Sequence, residues 1–173
     1  MRGGERLGTY YFEEAVAMRN SHVIYDRKNS AMYSLKRGMV EWDKVLADAG
    51  MFHCSGITCA ISRDSMESTM DALKLAEEKG LTIVCDINYR KNLWGYGMQP
   101  HDVIYNMMQY SDVAFGDQNE WEVASGIKHI PFEAHDANFV IDREAYQDYF
   151  RKMHKLFPKC KKMIMALRNQ LAS

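Results

Sequence analysis

The chain has 173 residues, 47% of them hydrophobic and 26% charged, and a formal net charge of -1. That length suits one domain, or one domain with a small appendage, and the apolar content suffices for a core, which excludes disorder as the default state. The near-zero charge supplies no bulk attraction to nucleic acid or to an anionic membrane, and neither partner is expected.

Taken from the amino terminus, Met1-Arg2-Gly3-Gly4-Glu5-Arg6 lacks the apolar run of a secretory leader. No later segment reaches the ~20 apolar residues of a membrane span, so a cytoplasmic location is expected. Tyr10-Tyr11-Phe12 and Val23-Ile24-Tyr25, separated by a polar stretch around Arg19-Asn20-Ser21, read as an exposed flap of antiparallel strands. Trp42, Val45, Leu46 and Ala49 recur at helical spacing before Gly50.

Met51 to Ile57 reads as a buried strand, and Ser62 as the N-cap of a helix in which Met66, Met70, Leu73 and Ala76 line one face before Lys79-Gly80. The strand Leu81 to Asp86 follows at once, which makes a βαβ unit with parallel pairing. The alternation continues with a helix from about His101 to Tyr110, a strand Asp112 to Phe115, and a helix from about Asn119 to Ser125 ended by Gly126. After a less regular stretch from Lys128 to Val140, Asp142 caps a helix through Phe157, and Met163 to Leu167 forms one more strand. Such alternation specifies an α/β sheet.

Cys54, Cys59, Cys85 and Cys160 lie on or beside apolar segments, with no CxxC pair and no short Cys/His ligand spacing. They are expected as reduced core residues. His53 next to Cys54 lacks a second pair that would complete a metal site.

Polar groups gather where the strand Leu81 to Asp86 stops, at Asp86, Asn88 and Arg90. In open parallel sheets ligands bind beyond the carboxyl ends of the strands, and a guanidinium there can grip a carboxylate or phosphate with two parallel bonds. Arg90 is favoured by that position over a plain surface charge; Arg27 is distinguished less clearly. Tyr10 and Tyr25 can cover and hydrogen-bond a ligand, or serve as ordinary sheet-face tyrosines. Gly56 marks either a close approach of backbone to a ligand or a strand-end turn. Asp117 and Glu120, three apart where a strand gives way to a helix, can hold a hydrated magnesium ion or cap the helix, with the cap slightly favoured. Motifs of P-loop nucleotide hydrolases, Rossmann dehydrogenases, serine hydrolases and zinc proteases do not occur.

Four segments together resemble the ribokinase-like (PfkB) carbohydrate kinases, and among them most closely the 2-keto-3-deoxygluconate kinases. They are Arg6-Leu-Gly-Thr-Tyr10-Tyr, then Val23-Ile-Tyr25-Asp-Arg27 with Ser30-Ala31, then Phe52-His-Cys-Ser-Gly56-Ile57-Thr58, and Asp86-Ile-Asn88-Tyr-Arg90-Lys-Asn-Leu-Trp94. The resemblance implies a doubly wound, mostly parallel α/β sheet, here incomplete over residues 37–173, with residues 1–36 forming a small β lid. It also implies an ATP- and Mg2+-dependent transfer of phosphate to a sugar acid, and a homodimer formed through the lid. Tyr10, Tyr25, Arg27, Ile57 and Arg90 are then the sugar-acid contacts, Asp117 and Glu120 lie on the nucleotide side, and Glu120 is the metal-side residue. Asp117 stands where the family's N-x-x-E element has Asn. The family's G-A-G-D element, which carries the anion hole and the general base, does not occur in the chain, nor do the sheet strands that precede the lid. No catalytic base is therefore assigned, and the 173-residue chain alone is expected to be an inactive fragment. A kinase for a neutral sugar and a non-catalytic sugar-binding homologue are the alternatives.

Overall fold

Short apolar stretches of five residues each build the central layer. In the computed structural model, which describes residues 4–14, 22–131 and 140–167, β3 (Met51–Ser55), β4 (Thr82–Asp86), β5 (Val113–Asp117) and β6 (Lys162–Ala166) pair in parallel in the order β3-β4-β5-β6. Ahead of them, β1 (Thr9–Glu13) and β2 (His22–Asp26) form a separate antiparallel pair, and α1 (Trp42–Val45) makes a single turn. Helices α2 (Gly56–Ile61), α3 (Arg63–Glu78), α4 (Pro100–Met108), α5 (Gln118–Ser125) and α6 (Arg143–Leu156) occupy the connections between the parallel strands. The expected α/β fold with a small β lid is thus observed. The polar residues 19–21 and most of the irregular stretch after Lys128 lie outside the described residues.

Strand alternation puts the core on one side of the parallel sheet. Cys54, Ile83, Cys85 and Ala114 point to that side and join Cys59, Leu73, Ile104, Met107, Trp121, Met153 and Phe157 from the helices and their ends in one buried cluster. All four cysteines are buried free thiols, and Cys54 and Cys85, paired in register, bring their sulfurs within 3.1 Å. The other face carries Met51, His53, Val84, Val113, Phe115 and Ile164, none of them buried. His53 stacks on Phe115 there, with ring centroids 6.1 Å apart.

Two expectations shift. The strand read as Met51 to Ile57 ends at Ser55, so Ile57 lies in the first turn of α2. Gly56 causes this: a Cβ on it would overlap the Ile87 carbonyl oxygen, so only a residue without one lets the chain turn into a helix against the end of β4. The face of α3 is also rotated from the methionine stripe. Ser65, Thr69, Ala72, Leu73 and Ala76 are buried while Met66 and Met70 are only half-buried, because the short side chains allow closer packing. Ser62 caps α3 as expected, accepting from the Ser65 N–H at 3.2 Å while Ser65 Oγ accepts from the Ser62 N–H at 3.1 Å.

An ion-pair network ties the segment after the lid to α3. Arg37 donates to both carboxylate oxygens of Asp71, at 2.6 and 2.7 Å. Lys36 Nζ donates to Asp64 at 2.9 Å, with the Arg37 backbone N–H adding a bond of 3.2 Å to the same carboxylate. The Arg37 hydrogen bonds hold Asp71 below the usual carboxylate range, and the Lys36 bond does the same for Asp64. A carboxylate depressed in the folded state adds stability that is complete above its unfolded pKa, about 4, and is lost as pH falls through the folded value. Thermal midpoints should therefore hold down to about pH 5 and fall below pH 4, and the difference between wild type and Asp71→Asn should shrink over that lower window.

Candidate functional site

The lid and the first turn of α2 face each other across a cleft of about 360 Å3, lined by Tyr10, Tyr25, Arg27, Ser30, Tyr33 and Ile57 among others. Antiparallel register places Tyr10 opposite Tyr25, hence on one face of the lid, with Tyr11 and Ile24 on the other. The two rings lie 6.3 Å apart. Arg27, one residue past β2, holds its guanidinium 4.2 Å from the centre of the Tyr25 ring, a cation–π contact that orients the group without neutralising it. Among the described residues no carboxylate lies within 4 Å of it to form an ion pair. Ser30, buried beside the cleft, accepts from the Tyr33 N–H at 3.3 Å and shapes the turn that follows.

A smaller cleft of about 260 Å3 shares Arg27, Tyr33 and Ile61 with the first and runs toward Lys36, Asp64, Leu93 and Tyr96. The Tyr96 hydroxyl donates to the Cys59 carbonyl at 2.6 Å, and burial pushes its pKa up to about 12, so it stays protonated.

A further cleft of about 360 Å3 opens at the carboxyl ends of β4, β5 and β6, lined by Asp86, Asn88, Arg90, Phe115, Asp117, Glu120, Ile164 and Ala166. Asn88 adopts a left-handed backbone, with φ of 39°, an uncommon conformation in which Asn is enriched. Its side-chain amide donates to Ser55 Oγ at 3.0 Å and so joins the ends of β3 and β4. Asp117 caps α5 by accepting from the Glu120 N–H at 2.9 Å, and Glu120 returns the bond by accepting from the Asp117 N–H at 2.8 Å. Burial raises the pKa of Glu120, with the Asp117 and Asp86 charges acting in the same direction and Arg90 opposing them.

The sequence-derived residues therefore fall into two sets. Tyr10, Tyr25, Arg27 and Ile57 share the lid cleft, whereas Arg90 lines the strand-end cleft with Asp117 and Glu120. None of the three clefts is lined by both arginines. Asp117 and Glu120 show the capping geometry, and among the described residues no three metal-ligating side chains cluster. Magnesium normally keeps several waters and takes one or two carboxylates plus phosphate oxygens, so these two acids still fit such an ion. Tyr33 was missed, since nothing in its spacing marks a turn residue as a cleft wall. No described helix is long and apolar enough to cross a membrane.

No protein-family model matches the chain. It is 40% identical over 89 residues, 51% of its length, to the 2-dehydro-3-deoxygalactonokinase of Haloferax volcanii, covering 28% of that protein. Among solved structures, 2-dehydro-3-deoxygluconokinase from Thermotoga maritima superposes with a TM-score of 0.75 at 35% identity, over 90% of this chain and 45% of that one. A PfkB family carbohydrate kinase from Listeria grayi gives 0.73 at 26% identity, over 91% and 44%. The chain thus spans less than half the length of these relatives. In its lid, its parallel sheet and its sequence, the chain is similar to the ribokinase-like, PfkB carbohydrate kinases.

Proposed function

We propose that the chain supplies the sugar-acid cleft and part of the nucleotide side of an ATP-dependent kinase acting on 2-keto-3-deoxygluconate or a related sugar acid. The observation that carries this reading is Arg27, a guanidinium fixed over Tyr25 in the lid cleft with no ion-pair partner among the described residues. An unneutralised fork suits a carboxylate, and the phenols of Tyr10 and Tyr25 suit the hydroxyls of a polyol. Arg90 serves at the strand-end cleft, beside Asp117 and Glu120, where phosphates and a hydrated magnesium ion would gather. When bound, that ion would neutralise charge on the transferring phosphate. Glu120 and Asp117 would hold it, while their mutual hydrogen bonds keep the first turn of α5 in place. Tyr11 and Ile24, exposed on the back of the lid, fit the homodimer contact.

The chain contains no G-A-G-D segment to act as anion hole and base, so we infer binding without appreciable turnover by these residues alone. Calorimetric titration of the 173-residue protein with 2-keto-3-deoxygluconate should show saturable binding. Arg27→Ala should weaken it about tenfold or more, since hydrogen bonds to charged groups contribute about 1.5–3 kcal/mol, and Arg90→Ala should weaken it less. Equal affinity for fructose, or no effect of Arg27→Ala, would favour a neutral sugar.

A further inference from the structure

We propose that Arg6 is a positioning residue that keeps the Arg27 guanidinium aimed and unneutralised for an acidic ligand, by holding the chain on both sides of it and by neutralising Asp26. The inference rests on the sugar-acid reading of the lid cleft and adds to it a residue outside that cleft's lining. Tyr25 and Arg27 line the cleft and Asp26, between them, does not, as strand alternation at the end of β2 requires. An unpaired Asp26 would nevertheless stand one residue from the group that has to meet a carboxylate. It would offset the Arg27 charge and repel the acid, because unit charges a few Å apart still feel one another at a wet surface.

Arg6 prevents this. Its Nη2 donates to Asp26 at 2.5 Å and to the Lys28 carbonyl at 2.5 Å, so one guanidinium grips the residues immediately before and after Arg27. The backbone ties the same turn from the far end. Ser30 N–H donates to the Arg27 carbonyl at 3.0 Å, with Asn29 between them in the left-handed region at φ of 59°, and Ala31 N–H donates to the Arg6 carbonyl at 2.8 Å. Gly4 lets the first segment lie this close, since a Cβ there would overlap the Ala31 backbone. The Arg6 and Asp26 side chains are 36% and 47% exposed, and an ion pair so exposed adds little to folding stability. Its consequence therefore falls on the cleft: a neutralised Asp26 leaves the positive charge of Arg27 to face the ligand.

The test titrates the full 173-residue chain with 2-keto-3-deoxygluconate by calorimetry at low salt. Arg6→Ala should weaken binding about fivefold while leaving the urea midpoint nearly unchanged. Arg6→Lys, which keeps a cation beside Asp26, should return affinity to within about twofold of the wild type. The double variant Arg6→Ala, Asp26→Asn should recover most of the loss, because no charge then remains to be neutralised. A second readout needs no ligand: in nitrogen–proton correlation spectra the Arg27 Nε–H, identified through Arg27→Lys, should carry the ring-current shift of Tyr25 and lose it in Arg6→Ala. Wild-type affinity in Arg6→Ala overturns the proposal. So does a loss that neither Arg6→Lys nor Asp26→Asn reverses, which would make Arg6 a fold element alone. Failure of the unaltered protein to bind the sugar acid would sink the sugar-acid reading instead, and an Arg27 resonance unmoved by Arg6→Ala would then overturn the role of Arg6 separately.

Discussion

Gly56→Ala is expected to lower the stability of the protein by about 3 kcal/mol, the upper part of the range for forcing extra atoms into a packed site. The added methyl group would overlap the Ile87 carbonyl oxygen, a backbone atom that cannot swing aside as a side chain can. Ile87 is itself fixed, because its N–H donates to the Phe115 carbonyl at 2.9 Å and extends the pairing of β4 with β5. Relief therefore requires α2 to move away from the sheet, and α2 carries Ile57 into the lid cleft. Urea unfolding should show the lost stability as a lower midpoint, and the same variant should bind 2-keto-3-deoxygluconate more weakly. An unchanged midpoint would mean that the strand-end turn is looser than its geometry indicates.

Trp121→Ala should cost about 3–5 kcal/mol, the usual range for emptying a buried aromatic site. Trp121 is fully buried at the centre of α5, and its indole N–H donates to the Ile164 carbonyl at 3.1 Å, which ties the helix to β6. Trp121→Phe retains most of the packing and gives up the hydrogen bond, so a smaller loss of about 1 kcal/mol is expected. A urea series on the two variants separates ring volume from the indole bond. Similar losses would place the stabilisation in the hydrogen bond instead.

The alternation of helices and strands was legible because the parallel strands are short apolar runs and three of the helices carry cap signals: Ser62 for α3, Asp117 for α5 and Asp142 for α6. All three accept from a backbone N–H at the start of their helices. Gly56 was legible only as a choice between a turn and a ligand approach, since the carbonyl it meets lies on a different strand. Tyr10, Tyr25, Arg27 and Ile57 share a cleft that does not include Arg90, and hydrophobic periodicity alone could not have joined residues from the lid and α2. The separation of Arg90 from Arg27 was not readable for a related reason: it depends on where the lid sits relative to the strand ends, which spacing along the chain does not encode. The bare sheet face escaped notice because Val84, Val113 and Phe115 are apolar and read as interior.

Asp117 and Glu120 lock each other through reciprocal hydrogen bonds at the start of α5. Each bond uses one oxygen of its carboxylate, so a cation can take the other oxygen while the helix stays wound, and the latch presents both acids to it in a fixed orientation. A side-chain change at either position consequently alters a ligand seat and a helix fastener together, and only a separate readout of the order of α5 can tell which was lost.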